Sequence, residues 1–183
     1  MFRGNERSYG RLAILVHWLT ALVVLGLFAL GVYMVQLSYY SSWYKTAPHI
    51  HKSVGILLLL LTLFRLVWRR FDTRPAAEAG HRPWEKRLAK LAHLLLYGLL
   101  LLIMGCGILI STADGRGLWV FDWFEIPSAG LLFADQADIA GDIHKFAAYG
   151  LMALVLIHAA GALKHHLFDK DNTLTKMLTF NRG

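Results

Sequence analysis

DIHKFAAYGLMALVLIHAAG, residues 142–161, is the stretch that decides the fold. Between Phe146 and Leu163 its one ionisable side chain is His158, so the segment reads as a helix crossing a bilayer. His144 and His158 are fourteen residues apart, which on an α-helix is about 21 Å of rise and a rotation about 40° short of whole turns. Both imidazoles therefore leave nearly one face, near opposite leaflets. Ionisable groups inside a spanning helix are rare and point to function.

Three more windows have the same character. They run over roughly 12–37, 50–67 and 88–111, with the fourth over 143–163. His17 is the single ionisable residue of the first, and Ile56 to Phe64 in the second is uncharged. The chain of 183 residues is 56% hydrophobic, with a mean hydropathy of +0.46, above the usual apolar share of a soluble domain. The expected fold is all-α, an integral membrane four-helix bundle, and residues 1–183 are expected to form one domain.

Charge sets the expected orientation. Arg3, Arg7 and Arg11, then Arg65, Arg69, Arg70, Arg74, Arg82, Lys86, Arg87 and Lys90, then Lys164, Lys170, Lys176 and Arg182 fall on one side of four spans. That is 15 of the 19 basic residues. The opposite loops hold Lys45 and Arg116 against Asp114, Asp122, Glu125, Asp135, Asp138 and Asp142. By the positive-inside rule both termini are expected in the cytoplasm, which makes this a multi-pass protein of the bacterial inner membrane. The net charge of +7 finds its partner in anionic lipid headgroups, so nucleic acid is not an expected ligand. The first apolar stretch exceeds a signal-peptide core, and Gln36 to Trp43 reads as an interfacial loop rather than a cleavage region.

Aromatic side chains crowd the two loops opposite the basic side. Tyr39, Tyr40, Trp43 and Tyr44, with Trp119, Phe121, Trp123 and Phe124, match an interfacial belt. A second reading makes GLWVFDWFEIP, residues 117–127, an amphipathic segment lying over that end of the bundle.

Depth sorts the histidines. His51 and His144 lie just inside the outer ends of the second and fourth helices, and His17 and His158 about five residues from the inner ends of the first and fourth. An antiparallel bundle can bring His51 against His144 and His17 against His158. Two imidazoles per site are too few for structural zinc, and no cysteine or carboxylate lies at these depths to complete four ligands. A haem brings four equatorial nitrogens and needs only the axial pair. Cys106 stands alone and no C-x-x-C-H attachment motif is present, so two non-covalent haems of the b type are expected. Axial histidine on both faces leaves no open iron position, which favours electron transfer over oxygen binding. Gly55 and Gly150 near the outer ligands, Gly26 and Gly31 on the first helix, and Gly105 and Gly107 on the third offer clearance for a macrocycle or close helix packing.

These residues resemble the bacterial cytochrome b561 family across nearly the whole chain. The resemblance rests on His17–Trp18, the HKSVG segment from His51, AHLLLY around His93, the His144–His158 spacing and the tail KHHLFDKDNTL. It implies four helices, two b haems with His17 and His158 on the cytoplasmic one and His51 and His144 on the periplasmic one, and ubiquinone as electron partner. His93, a few residues into the third window, competes with His17 as inner ligand, or contacts a haem propionate or a quinone oxygen. His49 would line an outer entrance, His165 and His166 would snorkel at the interface, and His81 would be solvated. Lys52 and Lys145, each following an outer ligand, would snorkel or draw an anion. Arg65, Arg69 and Arg70 are topology signals first and propionate partners second.

The expected function is transmembrane electron transfer, linking quinone to a periplasmic or membrane redox partner. A superoxide oxidase, passing electrons from periplasmic superoxide to ubiquinone, is the specific alternative, and the acids of the 114–142 loop weigh against it. A haem-free small transporter is the remaining class.

Overall fold

The computed structural model describes residues 2–6, 8–73, 75–76, 78, 80–128 and 130–179. Arg7, Arg74 and Arg182, three of the basic residues used to orient the chain, lie outside the described residues. Four long helices form: α1 Arg11–Met34, α2 Thr46–Phe71, α3 Pro83–Thr112 and α4 Gln136–Leu167. All four are long and apolar enough to span, few of their residues are buried, and many large apolar side chains face outward, Leu22 at 66% and Leu156 at 71% exposure among them. In water this surface would be a large liability; in lipid it is the ordinary solvent-facing side. The expected membrane bundle is therefore the observed fold.

Helix ends depart from the expected ones for local reasons. α3 starts at Pro83, five residues before the window, because Pro at the first helical position and Glu85, whose carboxylate accepts the Arg82 amide at 2.9 Å, start it outside the apolar stretch. α4 starts seven residues early at Gln136, with Asp138 complementing the helix dipole in its first turn, and ends four late with Lys164, His165 and His166 in its last. α2 extends both ways, closing on Arg69 and Arg70. α1 stops at Met34 rather than residue 37.

The chain between α3 and α4 adds one short element to the helical bundle. Residues 117–127 cover the end of the bundle at the level of His51, but as an antiparallel hairpin of β1 Leu118–Val120 and β2 Phe124–Ile126, with Leu118 opposite Ile126 and Val120 opposite Phe124. Leu118 and Val120 are buried against Ile56 of α2, beside Ile108 of α3. The turn puts Phe121 and Asp122 at positive φ, 47° and 59°, a conformation that ordinarily selects Asn or Gly. It is anchored by the Phe121 amide, which donates to the buried Ser53 hydroxyl at 3.0 Å.

Both termini fold over the other, basic end. The Gly4 amide donates to Asp72 at 2.8 Å, the Ala76 amide donates to the Glu6 carbonyl at 3.0 Å, and Trp18 Nε1 donates to the Met177 carbonyl of the short α5, Thr175–Leu178, at 2.8 Å. Lys176 pairs with Glu78 at 2.7 Å. The tail is thus tied to the α2–α3 connection and to the residue next to His17.

Mid-bundle, Val24, Leu58, Leu100, Met104 and Leu151 form one apolar layer drawn from all four helices. Close backbone packing joins α1 to α2, α3 to α4 and, less extensively, α2 to α3. Among the described residues α4 scarcely approaches the backbones of α1 and α2. That leaves side-chain room between α4 and the α1–α2 pair.

Candidate functional site

The room between α4 and the α1–α2 pair is where the histidines meet. His51 and His144 face each other with ring centres 6.1 Å apart, and His17 and His158 do the same at 6.4 Å. All four rings are half-buried. Both pairs meet edge-on, at interplanar angles of 62° and 68°, which lets nitrogens point into the gap where stacked rings would not. The expected partnerships of depth are therefore the partnerships in space.

The spacing of the two couples fits a metal held from both faces. Metal–nitrogen bonds of about 2.0–2.1 Å on each side place two axial imidazole centres about 6.3 Å apart. Both pairs meet that requirement. The His144 Nδ1 is 2.8 Å from the Ile103 carbonyl; a carbonyl only accepts, so Nδ1 carries the proton and Nε2 keeps its lone pair for a metal. A hydrogen bond of this kind is the usual support for a ligating histidine. His51 Nδ1 is buried, with the Leu27 backbone as its neighbouring hydrogen-bonding group.

His17 is held differently. Its Nδ1 lies 2.8 Å from an Arg65 Nη2, and because a guanidinium only donates, Nδ1 accepts and the proton sits on Nε2. Ligation through Nε2 requires Arg65 to release the ring and the proton to change nitrogens. Arg65 and Arg69 both lie over the Tyr97 ring, at 5.5 and 5.7 Å. That cationic pair is placed to take carboxylates at this level.

His93 is deeper than its sequence position suggests, because α3 begins at Pro83 and places it ten residues in. Its ring is 5.3 Å from that of His158, about 1 Å short of the separation that two axial bonds need. Its Nδ1 lies 2.6 Å from its own helix's Ala89 carbonyl. Contact with His158 suits a neighbour of the site better than a ligand across from it.

Seven residues separate His17 from Val24, His51 from Leu58, and Leu151 from both His144 and His158. Seven residues is about 10.5 Å along a helix and close to two turns. The mid-bundle layer is thus the apolar spacer between the two histidine levels, on the faces that carry the histidines. Of the six glycines singled out, two approach the rings. A Cβ at Gly31 would stand 3.3 Å from His51 Cε1, and one at Gly107 3.5 Å from His144 Cε1. Gly26, Gly55, Gly105 and Gly150 have open space where a Cβ would be.

Around the His51 end, His49 meets the hairpin's Phe121 at 6.1 Å, and Lys52 and Lys145 are exposed. Asp114 is engaged by Arg116 through a 2.8 Å hydrogen bond to its Nε, which holds the carboxyl below its usual range. At the basic end two expectations are corrected. His81 is not a solvated loop residue and His165 does not snorkel: their rings lie 4.1 Å apart, His81 Nε2 is 2.6 Å from Asp171, and His165 Nδ1 is 2.6 Å from Asp169. Lys164 holds the Asp169 carboxyl below its usual range. Partial burial works against ionisation of Asp171, but hydrogen bonds from the Thr173 amide and His81 outweigh it and the carboxyl also titrates low. His166 remains exposed. The imidazole pair and the tail carboxylates were not predicted as a unit, because 84 residues separate the two histidines and only the folded tail brings them together.

Residues 8–180 match the family described as prokaryotic cytochrome b561. Cytochrome b561 homolog 2 of Escherichia coli (strain K12) is 44% identical over 177 residues, covering 97% of this chain and 94% of the relative. The probable superoxide oxidase CybB of Yersinia pestis is 31% identical, covering 97% and 99%. Cytochrome b562 of Cereibacter sphaeroides is 34% identical, covering 95% and 97%.

Proposed function

Because this chain belongs to the prokaryotic cytochrome b561 family, whose members are haem b-binding electron-transfer proteins of the membrane, we propose that it carries two b haems and moves electrons between the two faces of the inner membrane. The observation that carries this reading is the pair of facing imidazole couples, at 6.1 and 6.4 Å, set fourteen residues apart along α4. His51 and His144 would hold one haem and His17 and His158 the other. When bound, each haem supplies a reversible one-electron iron couple.

What the chain itself does follows from the side chains. The four imidazoles would hold the two haems, which would supply reversible one-electron transfer rather than oxygen chemistry. Ile103 orients His144, and Arg65 and Arg69 offer cations for the carboxylates of the haem at the basic end. Val24, Leu58 and Leu151 exclude water between the levels and leave a dry gap for electrons to cross. The basic end, with both termini, faces the cytoplasm by the positive-inside rule. Quinone exchanges electrons with the chain from within the bilayer, and a periplasmic or membrane partner completes the circuit.

A second reading rests on one relative's name, superoxide oxidase, together with exposed Lys52 and Lys145 next to the His51–His144 couple. These cations would raise the local concentration of a small anion. Acids of the same loops oppose a strongly positive funnel, although Asp114 is neutralised by Arg116. We favour quinone-linked electron transfer. Stopped-flow haem reduction compares the two: the expected result is rapid reduction by a quinol and none beyond the spontaneous dismutation rate by a superoxide pulse. Reduction by superoxide that outruns dismutation, and slows in Lys52→Gln, would move the assignment to the enzyme.

A further inference from the structure

We propose that His81, His165 and Asp171 form a three-ligand, zinc-class divalent-cation site at the basic end, with the fourth position left to water, independent of the haem reading. Donor atoms of His81, His165 and Asp171 all lie within 4.8 Å of one another. Asp171 Oδ2 is 2.6 Å from His81 Nε2 and 3.6 Å from His165 Nδ1, and Asp169 Oδ2 is 2.6 Å from that same Nδ1. Donors around a tetrahedral zinc stand about 3.3 Å apart at bonds of about 2.0 Å, so the observed separations bracket the required one. Closure around an ion asks the donors, now within 4.8 Å of one another, to move to that separation.

Surroundings favour an ion over a solvated cluster. The side chains of His81, His165 and Asp171 are only 15%, 17% and 13% exposed. Asp171 Oδ1 accepts the Thr173 amide at 2.8 Å, which fixes the carboxylate with Oδ2 turned to the imidazoles. Two imidazole nitrogens with a carboxylate oxygen suit zinc, whereas magnesium and calcium prefer oxygen alone. Lys164 Nζ, 2.7 Å from Asp169 and 2.8 Å from Glu85, is held by those two carboxylates and leaves Asp171 Oδ2 to the imidazoles. The ligands come from the α2–α3 connection, the end of α4 and the tail. One ion would therefore lock the tail that also holds Trp18, beside His17.

Calorimetric titration with zinc tests this on tag-free protein purified from membranes and stripped with chelator. We expect one saturable site per chain, weakened by more than about tenfold in His81→Gln and in Asp171→Asn. His166→Gln, which removes an adjacent exposed imidazole, should titrate like the parent. The absorption spectrum of each variant reports whether the bundle is intact. Should a variant unfold, the parent decides alone: zinc must protect the 168–179 tail from proteolysis. No saturable zinc site, equal binding by His81→Gln, or a tail cleaved equally with and without zinc would overturn the proposal.

Discussion

Alanine at His144 is expected to leave a protein with one haem where the parent has two. The substitution removes the one nitrogen that α4 offers opposite His51 and leaves the Ile103 carbonyl without its 2.8 Å imidazole partner. His51 alone cannot close both faces of an iron. The His17–His158 couple lies about 21 Å further along the helix axis, beyond the Val24–Leu58–Leu151 layer, so its haem should remain. Haem per chain, measured as the pyridine complex, reads the result directly. Retention of both haems by His144→Ala would show that the facing imidazoles at this level are packing rather than ligation.

The second large effect separates His17 from His93. His17→Ala should lose the haem at the basic end, and His93→Ala should retain both. The 6.4 Å between the His17 and His158 ring centres already matches an iron held between them, whereas the 5.3 Å between His93 and His158 would have to open for one. Since His93 touches His158, its removal should shift the potential or band position of that haem without removing it. The opposite pattern, with His93→Ala losing a haem and His17→Ala keeping two, would transfer the ligand role to α3. In that case the Arg65–His17 hydrogen bond would be a structural contact rather than one released on loading.

The four helices were legible because apolar runs of spanning length have few competing explanations. Pairing at the two histidine levels was legible for a related reason: an antiparallel bundle turns position in the chain into depth. Helix ends were not legible. WEKRLAK in α3 and QADIAGD in α4 continue the helix beyond the apolar core because of a proline, caps and charges suited to the dipole. The hairpin was hidden for a different reason. Its turn places Phe121 and Asp122 at positive φ without the Asn-Gly signal, and the Ser53 hydroxyl that anchors it is 68 residues away. His81 and His165 likewise read as separate loop and tail residues until the folded tail stacks them.

The family implies haem b; the number of haems and the imidazoles that hold them define the electron path. One measurement addresses both: the haem-to-chain ratio of purified protein, with the low-temperature electron paramagnetic resonance spectrum of the oxidised form. Two b haems per chain, both low-spin as expected when two imidazoles fill the axial positions, are the predicted result. A single haem per chain, or a high-spin signal from an iron with an open axial position, would contradict it.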